Sequence, residues 1–204
     1  MKQQLMIATQ NAHKLDEFSQ LLPGIELRSL REFPSFVMPP ETGDTFLDNS
    51  IIKSTAVYAE TQIVSLADDS GLAVDALHGA PGVRSARFVS GSDRDRYIAL
   101  LDALEGVEHR SARFVACLSI VGLPESVELP PDTFRKSGVV YAFGEVHGTI
   151  ATAPRGVNGF GYDPIFELSD GRTMAEVTQS EKQMQSHRAI AARKLRPLLL
   201  NYFS

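Results

Sequence analysis

The chain has 204 residues, 43% hydrophobic and 22% charged, which supplies a sizeable core and argues against global disorder. The formal net charge of −5 argues against long DNA or RNA as a partner, because a polymer of phosphates selects a basic surface; a small anion held by a few local donors and a metal stays open. No apolar stretch approaches the ~18 residues of a membrane span, the N-terminal apolar run is too short for a signal-peptide core, and the one cysteine, Cys117, cannot form an internal disulfide, so a cytoplasmic protein without membrane association is expected. The length fits a single domain over residues 1–204, or two lobes sharing a sheet.

In chain order, Leu5 to Thr9 predicts a buried strand and Gln10 to His13 a turn. A helix follows from about Lys14, with Leu15, Phe18 and Leu22 on one face, and Pro23-Gly24 ends it. Residues 33–44 are a Pro-rich loop. A second helix begins near Thr45, with Phe46, Ile51 or Ile52, and Ala56 expected to face inward and Lys53 on neither apolar face. Ile63 to Ala67 reads as a strand that leads into Asp68-Asp69-Ser70-Gly71, and Leu72 to Leu77 as a further strand. Asp93 to Leu104 predicts a helix. Arg113 to Val121 is a central strand with Cys117 in its core, residues 122–137 are a surface excursion, and Val139 to Ile150 resumes strand character. A glycine-rich loop spans Gly156 to Pro164. The chain closes with helices: Thr178 and Glu181 have capping-box spacing, Ser186 caps a second stretch carrying Ile190, Leu195 and Leu199, and Pro197 should kink or interrupt it.

Several groups in this order bear chemistry. Adjacent acids such as Asp68 and Asp69 repel each other unless something compensates, and oxygen-only ligands suit magnesium. The same tetrapeptide also reads as an Asp-rich turn at a strand exit. Glu41 is a second carboxylate in the Pro-rich loop. Thr9 to Lys14 sits at a strand-to-helix turn, where free N–H groups and the Lys14 ammonium suit a polyphosphate, although the Walker pattern is missing. The loop Gly156 to Pro164 interleaves glycines with Phe160 and Tyr162, so backbone can approach a ligand and a ring can stack on a base; a tight turn burying both aromatics is the alternative. Lys182, His187 and Arg188 put cations near helix starts, against the dipole preference.

Taken together these segments resemble the inosine triphosphate pyrophosphatase family, which clears non-standard purine nucleoside triphosphates. The likeness rests on Ala8 to Lys14; Glu41-Thr42-Gly43 to Asn49 and Lys53; Ala67 to Asp75 with Gly79 to Arg87; Gly159 to Phe166; and Glu181-Lys182 with Ser186-His187-Arg188, in order over nearly the whole chain. Asn158 stands where the family often has glycine, and Asp48 where glutamate is common. The resemblance implies an α/β fold, elongated and two-lobed, around a long twisted mixed sheet with an active-site cleft between the lobes. It implies a homodimer, one magnesium ion per subunit, and hydrolysis of ITP, dITP or XTP to the monophosphate and pyrophosphate. By position it implies that Thr9, Gln10, Asn11, Ala12, His13, Lys14 and Lys53 line the triphosphate and that Glu41 and Asp69 hold magnesium. Asp69 is also the implied proton acceptor, with Asp68 beside it as a second catalytic candidate. Ser70 would contact substrate, Phe160, Gly161, Tyr162, Asp163 and Lys182 would form the nucleoside pocket, and His187 and Arg188 would read the base.

Overall fold

The computed structural model describes residues 4–203, except the side chain of His13. The chain is mixed α/β and falls into two compact units. The first comprises Met1–Asp69, Ala116–Gly144 and Arg188–Ser204; the second comprises Ser70–Val115 and Glu145–His187. Its strands are β1 (Leu5–Ile7), β2 (Leu27–Ser29), β3 (Ser65–Val74), β4 (Ser111–Val121), β5 (Phe134–Lys136), β6 (Val139–Ile150) and β7 (Phe166–Glu167). The helices are α1 (Ala12–Leu21), α2 (Phe46–Thr61), α3 (Asp93–Ala103), α4 (Gln179–Gln185) and α5 (His187–Phe203). The strands form one seven-stranded sheet in the order β2-β1-β3-β4-β6-β5, with β7 also on β6. β1 is parallel to β2 and β3, whereas β6 is antiparallel to β5 and β7, so the sheet is mixed. Among the described residues no helix is long and apolar enough to cross a membrane.

In the first unit the strand period of two assigns side chains to two cores. Leu5, Ile7 and Leu66 pack with Phe18 of α1, Leu22 just after it, and Leu195 and Leu199 of α5. Met6, Ala8 and Ala67 pack with Val57 of α2. In the second unit Leu72, Val74, Leu100, Leu104, Phe114, Tyr162 and Phe166 share a core. Cys117 is buried and free, as its neighbours in β4 suggest.

Local sequence sets several boundaries as expected. Thr45 caps α2 by accepting from Asp48 N–H, and Thr178–Glu181 form a capping box on α4; a second capping box, Ser92–Asp95, beyond those expected, starts α3.

Five expectations change. Helix α1 begins at Ala12, so Ala12 and His13 belong to its first turn rather than to the loop. The face that α2 buries consists of Asn49, Ser50, Lys53, Ser54 and Val57, while Phe46, Ile51, Ile52 and Ala56 are only half-buried. Polar residues are buried there because they find partners: Ser50 Oγ donates to Ala67 O at 3.1 Å, and Ser50 and Ser54 each lie 2.8 Å from Ser119 Oγ. Strand β3 does not stop before the acids but continues through Asp68-Asp69-Ser70-Gly71 to Val74, and Asp75–Leu77 is a 3-10 turn. The 122–137 excursion contributes β5 to the sheet edge, with Leu123 buried and Val127 and Leu129 against the first core. Helix α5 continues through Pro197 to Phe203.

Candidate active site

The position of Asp68 and Asp69 inside a strand decides their surroundings. Adjacent strand residues point to opposite faces, so two carboxylates that look paired in sequence meet different partners. Both are buried, at 4% and 5% exposure.

Asp68 lies on the same side as Leu66, toward α1 and α5. Lys14 Nζ of α1 is 2.6 Å from its Oδ2, and Arg188 of α5 donates to that oxygen from Nε and Nη2, each at 3.1 Å. Arg188 Nη1 also donates to Glu17 Oε2 at 2.5 Å, and its side chain is almost wholly buried. Burial alone would raise the Asp68 carboxyl, but Arg188 and then Lys14 outweigh it and hold the group well below the usual carboxylate range. The same enclosure lowers Lys14: burial is the largest cause, the Asp68 charge opposes it, and Arg188 and Lys53 add repulsion. Lys14 still keeps 19% of its side-chain surface exposed.

Asp69 lies on the same side as Ala67, toward α2. Its Oδ1 is 2.7 Å from Lys53 Nζ, which is 2.8 Å from Glu41 Oε1. Asn49, one helical turn before Lys53, donates from Nδ2 to Asp69 Oδ2 at 3.4 Å, and its own Oδ1 accepts from Gly43 N–H at 2.8 Å. Here burial prevails. It pushes Asp69 up to about 6 despite Lys53, with Glu41 and Asp68 adding repulsion. Lys53 is raised: burial lowers it, but the charges of Asp69 and Glu41 outweigh that. One ammonium thus serves two carboxylates.

The second unit holds a different kind of group. Phe160 N–H donates to Asp163 Oδ2 at 2.9 Å, and Lys182 Nζ lies 2.5 Å from the same oxygen and 4.9 Å from the Phe160 ring centre. A cation over an aromatic face is attracted by the ring quadrupole. Gly159 has φ +78°, and a Cβ there would sit 2.0 Å from Asp163 Oδ2, so the close loop requires glycine. Gly161 N–H donates to Asp93 Oδ2 at 2.7 Å. Tyr162 is buried, donates to Ser85 O at 2.9 Å, and is pushed up by burial. His187 stacks on Phe114 with centroids 4.9 Å apart and planes 16° from parallel.

The Ham1 family profile matches residues 5–198. The chain belongs to the Ham1 family. It is 46% identical over 192 residues to a dITP/XTP pyrophosphatase from Symbiobacterium thermophilum, covering 93% of this chain and 91% of that one. It is 45% identical over 199 residues to a protein of the same name from Geobacillus kaustophilus, covering 94% and 92%. Among solved structures, a HAM1 protein from Coxiella burnetii matches with a TM-score of 0.84 and 37% identity, covering 98% of this chain and 99% of that one. The Staphylococcus aureus Ham1 protein matches with a TM-score of 0.83 and 35% identity, covering 98% and 100%. The family expected from the sequence motifs and the α/β fold class are thus both borne out.

Within this Ham1 chain the residues expected at a site fall into separate groups. Lys14, Asp68 and Arg188 come together; so do Glu41, Lys53 and Asp69; so do Phe160, Asp163 and Lys182. Thr9, Gln10 and Asn11 lead into α1, which Ala12 opens, with Asn11 N–H donating to Thr9 Oγ1 at 3.1 Å. The His13 side chain lies outside the described residues. Ser70 is half-buried in β3. Sequence reasoning missed Asn49, Glu17 and Asp93 as supports. Asn49 precedes Lys53 by four residues and Glu17 follows Lys14 by three, so helical spacing offered a signal for both. Nothing in the local sequence ties Asp93 to Gly161.

Among the described residues no three His, Cys, Asp or Glu side chains form a metal-holding group. Glu41 and Asp69 nevertheless suit a small hard cation. They are oxygen donors drawn to one ammonium, and burial raises Asp69 despite Lys53. Such ions are commonly held by one or two carboxylates, with substrate phosphates completing the shell.

Proposed function

We propose that this chain hydrolyses non-standard purine nucleoside triphosphates (ITP, dITP and XTP) to the monophosphate and pyrophosphate, and so keeps them out of DNA and RNA. The observation that carries the reading is the Glu41–Lys53–Asp69 group, in which a half-buried and a buried carboxylate meet at one buried ammonium. The names of the relatives support the substrate class. The working protein is a cytoplasmic homodimer with one magnesium ion per subunit, its substrate a small molecule rather than a polymer.

In this reading Thr9, Gln10, Asn11, Ala12, His13, Lys14, Lys53 and Ser70 hold the triphosphate. Glu41 and Asp69 hold magnesium, which neutralises charge on the departing pyrophosphate. A water molecule attacks the α-phosphorus; its oxygen forms the new P–O bond as the bridge to the β-phosphate breaks. Of the two adjacent acids, only Asp69 has a basicity near neutral pH. Asp68, held ionised by Arg188 and Lys14, takes no proton. Asp69 orients the water by accepting its hydrogen bond; were a divalent cation held there, it would lower the basicity of the carboxylate. Positioning and charge stabilisation carry most of the rate.

Phe160, Gly161, Tyr162, Asp163 and Lys182 form the nucleoside side, and His187 reads the base; in the structure the Arg188 guanidinium is taken up by Asp68 and Glu17. Inosine and xanthine present a 6-oxo acceptor where adenine presents an amino donor. Donors matched to the first are left unpaired by the second, which permits strong rejection. Pyrophosphate release from a panel of ITP, dITP, XTP, GTP, ATP, UTP and dTTP, with and without magnesium, tests this. ITP, dITP and XTP should lead, and chelation of the metal should abolish their turnover. Equal turnover of ATP and ITP, or ITP binding without hydrolysis, would overturn the proposal.

A further inference from the structure

The Gly159–Asp163 loop is tied at three successive residues by three different partners. Phe160 N–H is held by Asp163, Gly161 N–H by Asp93, and the Tyr162 hydroxyl by the carbonyl of Ser85. Asp163 and Tyr162 are buried, so their ties are part of the local core. Asp93 differs. It is the first residue of α3, its side chain is 47% exposed, and it reaches Gly161 across 68 residues of sequence.

The Asp93 carboxylate is itself fixed. Its Oδ2 accepts from Gly161 N–H at 2.7 Å, while its Oδ1 lies 2.5 Å from Arg96 Nη1. Arg96 is anchored in turn, with Nη2 donating to Gly91 O at 2.9 Å. Gly161 has φ +63°, a left-handed conformation that presents its N–H to the carboxylate and that a side chain would strain. The peptide between Phe160 and Gly161 therefore has its N–H pinned from outside the loop, next to the residue whose ring lies 4.9 Å from Lys182 Nζ.

We propose that Asp93, buttressed by Arg96, is a positioning residue for the nucleoside-binding loop: it fixes the Phe160–Gly161 peptide so that the Phe160 ring stands ready for the nucleoside. The inference rests on the reading that Phe160 to Asp163 face the nucleoside, and it adds a residue outside every motif that suggested that reading. Asp93 need not touch substrate. Its effect is a pre-arranged loop, which lowers the ordering cost of binding.

The test compares wild type, Asp93→Ala and Asp93→Asn in the full-length protein with ITP as substrate and magnesium in excess. Inosine monophosphate and inorganic pyrophosphate serve as separate inhibitors, and thermal melts verify the fold. Asp93→Ala removes the acceptor, and KM for ITP should rise about fivefold, the scale of one charge-assisted hydrogen bond at a partly exposed site, with kcat nearly unchanged. The inhibition constant of inosine monophosphate should rise in step, while that of pyrophosphate should stay put. Asp93→Asn keeps an oxygen acceptor for Gly161 N–H and should restore most of the wild-type KM. Wild-type KM in Asp93→Ala would overturn the proposal. So would equal losses for both inhibitors, or a fall in kcat that Asp93→Asn does not rescue. A wild-type protein that fails to hydrolyse ITP would instead overturn the proposed function, and direct binding of inosine monophosphate to the variants would still decide the role of Asp93.

Discussion

Asp68 and Asp69 are the same residue type, adjacent in one strand and equally buried, yet their states are opposite. Asp68 faces two cations, Lys14 and Arg188, and is held far below the usual carboxylate range. Asp69 shares one cation with Glu41 and is raised to about 6. Strand alternation alone sends them to different partners. A pair that reads in sequence as mutual repulsion is in the fold one carboxylate held by two cations and one that shares a single ammonium with Glu41. The first ties α1 and α5 to β3; the second is the one proposed to take a divalent cation and to carry the chemistry.

The comparison breaks most visibly if the two acids are exchangeable in turnover. Asp69→Asn should lower kcat for ITP by about a thousandfold, the scale of losing a positioned acid–base group, with the fold intact by circular dichroism. Lys53→Met should follow, with about a hundredfold loss of kcat from removing a preorganised charge. It should also move the acid limb of the rate profile to higher pH, because Asp69 and Glu41 then lack their shared cation and ionise less readily.

Asp68→Asn is expected to act on stability first. It leaves Lys14 and Arg188 facing a neutral amide in a buried site, a loss of about 3 kcal/mol read from urea unfolding. The smallest effect sharpens the contrast by sign. A carboxyl lowered in the fold contributes stability above its unfolded pKa and loses it as pH falls further, so the deficit of Asp68→Asn relative to wild type should shrink in acid. A carboxyl raised in the fold behaves oppositely. Between about pH 4 and 6 the native state binds more protons at Asp69 than the unfolded state does, so its contribution falls as pH rises, and Asp69→Asn should remove that slope in metal-free protein. Equal slopes in the two variants would contradict the assignment.

Much of the fold was legible because its signals are local. The helix starts at Thr45 and Thr178, the apolar run of β4 and the glycine loop all follow from short-range rules. The middle of β3 was not legible, because Asp-Asp-Ser-Gly has poor strand propensity and its ionic partner Arg188 lies 120 residues away. The buried polar face of α2 was hidden for a related reason. Asn49, Ser50, Lys53 and Ser54 look like a solvated stripe until Ser119 and Asp69 are placed opposite them. Motifs identified which residues gather, and tertiary contacts decided which acid meets which cation. The opening acids of the motif are therefore better described by the face each occupies than by their adjacency.

The most direct test is a carbon-13 titration of the aspartate side-chain carboxyls in metal-free protein, assigned with Asp68→Asn and Asp69→Asn and repeated with magnesium. Asp69 should titrate near 6 and shift to lower pH when magnesium is added, since a cation competes with the proton. Asp68 should stay ionised throughout the native range and respond little to the metal. An Asp68 signal that titrates near neutral pH and follows magnesium, with Asp69 unresponsive, would contradict the account.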